Sequence, residues 1–266
     1  MVIPENVHVV EMTTPTKSVT LNGTVRQITG LSDEDPYYAS IIDPFEADLQ
    51  AFCARHLKPD YVCWDLGANI GVTALMMAGL CPDGRIEAVE GNGTVHALLC
   101  ENLARNNISN VTPHHVAIGD RNGRAFFNEI SAYGHLTGDP KQTPVTVITP
   151  ETLLKRSGDR LPDFIKIDCE GFEPIILRHA ADLIWRSNAL VHLEFNSWCL
   201  LHHSRSQPLD FLDWILDIFP ETFIVRKGGI LERFARTDMS GILHDNLMKY
   251  GCVNDLVVTF EPGRLA

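Results

Sequence analysis

The chain has 266 residues, with 22 Lys and Arg against 34 Asp and Glu, for a formal net charge of −12. That acidity argues against a phosphate-backbone binder and against docking on an anionic membrane. Hydrophobic residues make up 45%, which suits a globular core, and the length suits one large domain or two small ones. Met1–Met12 has no basic region followed by an apolar core, so no leader is expected. No run nears the ~18 apolar residues that span a bilayer. Seven scattered cysteines form no C-x-x-C pair. They read as reduced thiols, and the expected compartment is the cytoplasm.

Residues 1–40 hold one strand pair, Val19–Leu21 and Val25–Ile28, turned at Asn22-Gly23. Pro44 to Leu57 reads as a helix, with Asp43 as N-cap, Pro44 in first position and Glu46 at N3. From residue 61, short apolar runs alternate with helical stretches. Strands are expected at Tyr61–Leu66, Arg85–Glu90, Val111–Ala117, Phe164–Asp168 and Ala189–Glu194. Helices are expected at about Val72 to Leu80, Thr94 to Asn106, Pro174 to Ala181 and Leu209 to Ile218. Arg124–Glu129 and Thr143–Ile148 are further strands within a looser region, and Thr222–Arg226 and Asp255–Phe260 close the chain. The alternation implies an α/β fold: a parallel sheet with helices on both faces and a ligand crevice at the carboxyl ends of its strands. Residues 61–266 form this domain, and residues 1–60 read as an accessory cap.

Polar residues just after strands are therefore the candidates. The first strand runs into Asp65-Leu66-Gly67-Ala68-Asn69-Ile70-Gly71. An acid, two glycines and a helix start arrive in order, so a ligand can approach the backbone; the bland alternative is a tight turn capped by Asp65. Glu90 closes the second strand, where nucleotide-binding folds place an acid for ribose hydroxyls. Dinucleotide binding is disfavoured, because Ala68-Asn69 stands where G-x-G-x-x-G needs its second glycine. The strand at 164–168 leads into Asp168, Glu170 and Glu173, with Lys166 inside the strand to offset them. Glu194 and Asn196 close the next strand. Asp168, Glu194 and Asn196 could hold a divalent metal, or the acids could serve as a general base, or they could simply order the loop. His135 lies in a loop able to cover the cleft and is a candidate substrate contact. His114-His115 read as packing or surface residues, and His202-His203 sit in a polar loop before a helix.

The sequence resembles the FkbM-type S-adenosylmethionine-dependent methyltransferases. The resemblance rests on Asp65 to Gly71, Glu90, Ala117-Ile118-Gly119-Asp120, and Ile165-Lys166-Ile167-Asp168-Cys169-Glu170-Gly171-Phe172-Glu173. It spans about residues 60–196. One departure is Gly91, where the family usually has Pro after the ribose acid. The resemblance implies a class I methyltransferase (Rossmann-like) fold, with a seven-stranded, mostly parallel sheet and an antiparallel last strand. It implies that Asp65, Gly67, Ala68, Asn69 and Gly71 hold the methionine part of S-adenosylmethionine, that Glu90 binds the ribose, that Ala117 meets the adenine and that Asp168 lies near the sulfonium. With Asp168, Glu170 and Glu194 as the catalytic candidates, His135 and Asn196 would face the acceptor. The expected reaction is O-methylation of a small natural product such as a sugar or polyketide. The alternatives are a silent cofactor-binding scaffold and an NAD-dependent oxidoreductase.

Overall fold

The computed structural model describes residues 14–129 and 133–265. The readings made on Met1–Met12 and on Ser131-Ala132 fall outside them. Strands β1 (Thr16–Leu21) and β2 (Thr24–Thr29) form the expected hairpin. Asn22 and Gly23 both take positive φ, 47° and 78°, which is why Asn-Gly marks such turns. Helices α1 (Pro36–Ser40) and α2 (Ala47–His56) follow. The second begins at Ala47, not at Pro44 with Asp43 as cap. The Asp43 carboxylate accepts instead from the Thr20 N–H at 3.1 Å and the Thr20 hydroxyl at 2.9 Å.

The alternation then runs β3 (Val62–Leu66), α3 (Val72–Leu80), β4 (Arg85–Glu90), α4 (Gly93–Arg105) and β5 (Val111–His115). The strand expected through Ala117 breaks at Val116. Beyond the break, β6 (Ala117–Ile118), β7 (Gly123–Asn128), β8 (His135–Thr137) and β9 (Thr143–Ile148) form a separate sheet in the order β6-β9-β7-β8. Helix α5 (Pro150–Arg156) leads to β10 (Phe164–Ile167), α6 (Glu173–Ser187) and β11 (Leu190–Asn196). A short turn, α7 (Ser197–Cys199), runs into a π-helical turn at Leu200–Ser204, then α8 (Pro208–Ile218). The chain closes with β12 (Glu221–Arg226), β13 (Ile230–Arg233), α9 (Met239–Met248) and β14 (Val253–Thr259).

The main sheet has the order β13-β12-β14-β11-β10-β3-β4-β5. The five strands from β11 to β5 are parallel, and β14 lies antiparallel between β11 and β12. The sheet is mostly parallel as expected but has eight strands, not seven, with β13 at one edge. Strands β3 and β10 are buried at every position, as strands covered on both faces must be. One face carries Phe52, Leu75 and Leu99 from α2, α3 and α4, together with Val19 and Ile28 of the hairpin. The other carries Ile176, Leu183, Phe211 and Ile215 from α6 and α8. The chain leaves β3 toward β4 on one side and β10 toward β11 on the other. The crevice between such diverging connections opens above the ends of β3 and β10.

The hairpin is pinned to this core by Asn102, which is fully buried on α4. Its carbonyl accepts from the Thr29 N–H at 2.7 Å, and its amide donates to the carbonyls of Thr29 at 3.0 Å and Ile70 at 2.9 Å. Asn102→Ala leaves these buried groups without partners and should cost about 2–4 kcal/mol of stability in urea unfolding. A loss below about 0.5 kcal/mol, the range of an ordinary surface change, would remove Asn102 from this role.

Candidate active site

A cavity of about 1060 Å³, counting its mouth, opens where the topology places it. Gly67, Ala68 and Asn69 after β3, Glu90 and Gly91 after β4, and Lys166, Asp168 and Glu170 along and after β10 line it. Glu194 joins from β11, and Val116, Ala117, Ile118 and Phe127 form an apolar side. Tyr37, Phe45 and Glu46 reach the cavity from the N-terminal segment, and Tyr133 and His135 from the smaller sheet.

The electrostatics centre on Lys166. Register places Lys166 opposite Asp65 on β3 and opposite His192 on β11. Its ammonium donates to Asp168 Oδ2 at 2.9 Å and lies 3.7 Å from Asp65 Oδ1. Burial opposes the charge on Lys166, but Asp168, Asp65 and Glu46 outweigh it and hold its pKa well above the usual value. Asp65 is fully buried, and neither of its oxygens has a hydrogen-bond partner. Burial pushes it up to about 6 against the pull of Lys166. His192 is pushed down to about 3 by burial and by Lys166, so it stays neutral.

Glu90 accepts the Asn69 N–H at 2.9 Å and the Asn92 N–H at 2.7 Å, one on each oxygen. Burial pushes it up to about 7 while those N–H groups pull it down. Each oxygen keeps a second lone pair for a ligand hydroxyl. Gly67 has φ +83°, and a Cβ there would overlap the Asp168 carbonyl. The two strand ends therefore meet only because residue 67 is glycine. Gly91 is explained by Phe127, whose ring would lie 2.8 Å from an added Cβ.

Several candidates sit elsewhere than the motif suggests. Asp65 and Gly71 lie behind the cavity wall. Gly71 lets α3 pack on α4, since a Cβ would come 2.5 Å from Leu99 Cδ1. The Gly67 and Ala68 N–H groups are both spent on the Val89 carbonyl. Asn196 is also outside the cavity lining, and its side chain caps α7 by accepting the Cys199 N–H at 3.1 Å. The oxygens that converge are those of Asp168, Glu194 and Glu173, all within 4.8 Å of one another. Glu173 is fully buried and accepts from the Cys169 and Gly171 N–H groups. Burial raises its pKa to about 8. Glu194 is also raised well above the usual range, by burial first and then by Asp168, and its Oε2 has no partner. His135 does line the cavity, and its ring stacks on His203 at 3.8 Å. His114 bonds Glu87 at 2.6 Å, as a packing residue does.

The methyltransferase FkbM domain model matches residues 65–215. The chain belongs to the FkbM methyltransferase domain family. Its matched stretch begins at Asp65 and ends in α8, so it covers the strand ends that build the cavity. Similar solved structures include an FkbM methyltransferase from Methylobacillus flagellatus, at 20% identity and TM-score 0.49, covering 76% of this chain and 44% of that one. A precorrin-6y C5,15-methyltransferase from Geobacter metallireducens has 18% identity and TM-score 0.48, covering 85% and 95%. A 16S rRNA methyltransferase of T. thermophilus, solved with AdoMet and guanosine, has 14% identity and TM-score 0.52, covering 93% and 50%. That likeness is one of fold, the class I methyltransferase fold. The chain spans less than half the length of the M. flagellatus protein and half that of the T. thermophilus one. No curated protein matches it.

Within this FkbM domain, Lys166 was visible in the sequence as a charge inside an apolar strand. Tyr37, Glu46 and Phe127 carried no such signal, because only folding brings their segments to the strand ends. Lys166→Met should destabilise the chain by about 3–5 kcal/mol, since it leaves Asp65 buried without a counter-charge. The loss should be larger at pH 8 than at pH 5, because a protonated Asp65 needs no partner. Denaturant unfolding at both pH values checks this. Equal stability of variant and parent at pH 8 would overturn the role given to Lys166.

Proposed function

We propose that the chain is an S-adenosylmethionine-dependent methyltransferase acting on a hydroxyl of a small molecule. The observation that carries this is the lining of one cavity by Glu90, by the apolar Ala117, Ile118 and Phe127, and by Asp168 and Glu194. The residues fit the group. Glu90 has lone pairs left for two ribose hydroxyls. Ala117, Ile118 and Phe127 offer an apolar slot for a purine ring. Glu194 Oε2 is a buried oxygen without a partner, and a cation nearby would relieve it. S-adenosylmethionine, when bound, supplies a methyl group already activated on a sulfonium.

What remains for the protein is alignment and proton removal. Asp168, held by Lys166, would face the sulfonium of the bound cofactor. Glu194 is the base of this reading. Its raised proton affinity would make it a strong acceptor once ionised, able to take the hydroxyl proton of a molecule held in the cavity it lines. Glu170 is a third cavity carboxylate, its Oε2 accepting from the Cys199 thiol at 3.2 Å. Tyr37, Tyr133 and His135 also line the cavity, which would receive a sugar or polyketide ring. The all-oxygen group of Asp168, Glu173 and Glu194 would suit Mg²⁺. Chelation that leaves turnover intact would favour the side-chain base.

Calorimetry with S-adenosylhomocysteine, S-adenosylmethionine and NAD is the first test. Preference for NAD would sink the reading. Binding of S-adenosylmethionine without methyl transfer to any sugar or polyketide alcohol would favour a silent scaffold. Below about pH 7 the free Glu90 is protonated, and only the carboxylate accepts both hydroxyls. Affinity for S-adenosylhomocysteine should therefore rise between pH 6 and 8, by at most roughly tenfold per unit for one proton. Glu90→Gln should weaken binding and flatten that slope. Glu194→Gln should lower kcat roughly 10²–10⁴-fold with S-adenosylhomocysteine affinity unchanged. A variant that keeps full kcat would remove Glu194 as the base.

A further inference from the structure

Glu170 is approached from a second direction, by a segment that the methyl-transfer reading does not use. After β11 the chain makes α7 and then the π-helical turn at Leu200–Ser204. Single π-turns shift side chains out of ordinary helical register and recur at functional positions. Cys199 and His203 both reach the Glu170 loop from here. The Cys199 thiol donates to Glu170 Oε2 at 3.2 Å, and His203 Nδ1 donates to the Glu170 carbonyl at 2.7 Å. A carboxylate oxygen of Glu170, the Cys199 sulfur and a ring nitrogen of His203 lie within 4.8 Å of one another.

The donor set is selective. One thiol, one imidazole and one carboxylate suit a borderline cation such as Zn²⁺, whereas Mg²⁺ prefers oxygen alone. The all-oxygen trio of Asp168, Glu173 and Glu194 is a separate group with the opposite preference. The hydrogen bond from His203 Nδ1 to a backbone carbonyl fixes the tautomer and leaves a lone pair on Nε2. Metal-binding histidines are oriented in this way. His135 is stacked on the same ring at 3.8 Å and only 5° from parallel. The close seating of the two loops depends on Gly171, where a Cβ would overlap the Cys199 carbonyl.

We propose that Glu170, Cys199 and His203 form a site for a zinc-class divalent cation. Three protein ligands leave one position of a tetrahedral ion open. Binding releases the thiol proton to solvent. The thiolate and the carboxylate then balance the two positive charges, and the neutral imidazole adds none. The ion would tie the loop after β10 to the turn after β11.

Titration of metal-free, fully reduced protein with Co²⁺ tests this without any methyl acceptor. The expected result is a thiolate-to-cobalt charge-transfer band with tetrahedral d–d bands, saturating at one equivalent and displaced by Zn²⁺. Cys199→Ser should abolish the charge-transfer band, and His203→Gln should weaken binding at least roughly tenfold. Cys100→Ser is the control, because Cys100 lies 3.9 Å from the His96 ring nitrogens and is the obvious rival thiol. Circular dichroism confirms that each variant is folded, and His203→Gln carries the test if Cys199→Ser is not. Absence of the band in the parent overturns the proposal. So does a band that survives Cys199→Ser or vanishes with Cys100→Ser. S-adenosylhomocysteine calorimetry on the same samples scores the methyltransferase reading separately, so the two failures are distinguishable.

Discussion

A single buried ammonium organises this molecule. Lys166 sits in the middle strand of the main sheet, beside Asp65 on one neighbour and His192 on the other. Without it, Asp65 would be a buried carboxylate with no partner, and Asp168 would lose the contact that fixes it at the cavity wall. Buried ion pairs seldom add much stability over apolar residues, but removing one partner is costly. The value of this pair lies in position: it sets a carboxylate at the point where the connections leaving β3 and β10 diverge.

The acids around that point are held in different states. Glu90 is buried but receives two backbone N–H groups, which partly restore its preference for charge. Glu173 receives two as well, yet burial dominates. Glu194 has an oxygen with no donor, and nearby acids raise it further. One carboxylate thus accepts two N–H groups at the cavity, another anchors a loop and a third keeps an oxygen without a donor, with environment alone making the distinction.

The loops around the cavity are joined by close backbone contacts as well as by charge. Gly67 admits the Asp168 carbonyl, Gly91 admits the Phe127 ring, and Gly171 admits the carbonyl of Cys199. Gly91 is informative because it departs from the family's usual Pro. Phe127 comes from the smaller sheet, so this sheet and residue 91 act as one unit in shaping the apolar side. The N-terminal segment divides similarly. Its hairpin is part of the core through Asn102, while Tyr37 and Glu46 line the cavity.

The antiparallel closing strand was implied by the family resemblance; the alternation of apolar runs and helical stretches was sufficient to determine the parallel sheet and the crevice at the strand ends. Each of those depends on periodicity and on short-range turn chemistry. The glycine loop, Glu90 and the acids from Asp168 onward were legible for the same reason, since they directly follow their strands. Only the tertiary structure decided which of these groups face the cavity. Asp65 turned inward to Lys166, Gly71 to Leu99 and Asn196 to its own helix, because lateral register and helix packing are set by partners far away in the chain. Long-range assembly also placed Glu173 among the oxygens, Phe127 beside Gly91, and Cys199 and His203 against Glu170. The opening charge of −12 stated how many acids there are; folding determined which of them share one lysine.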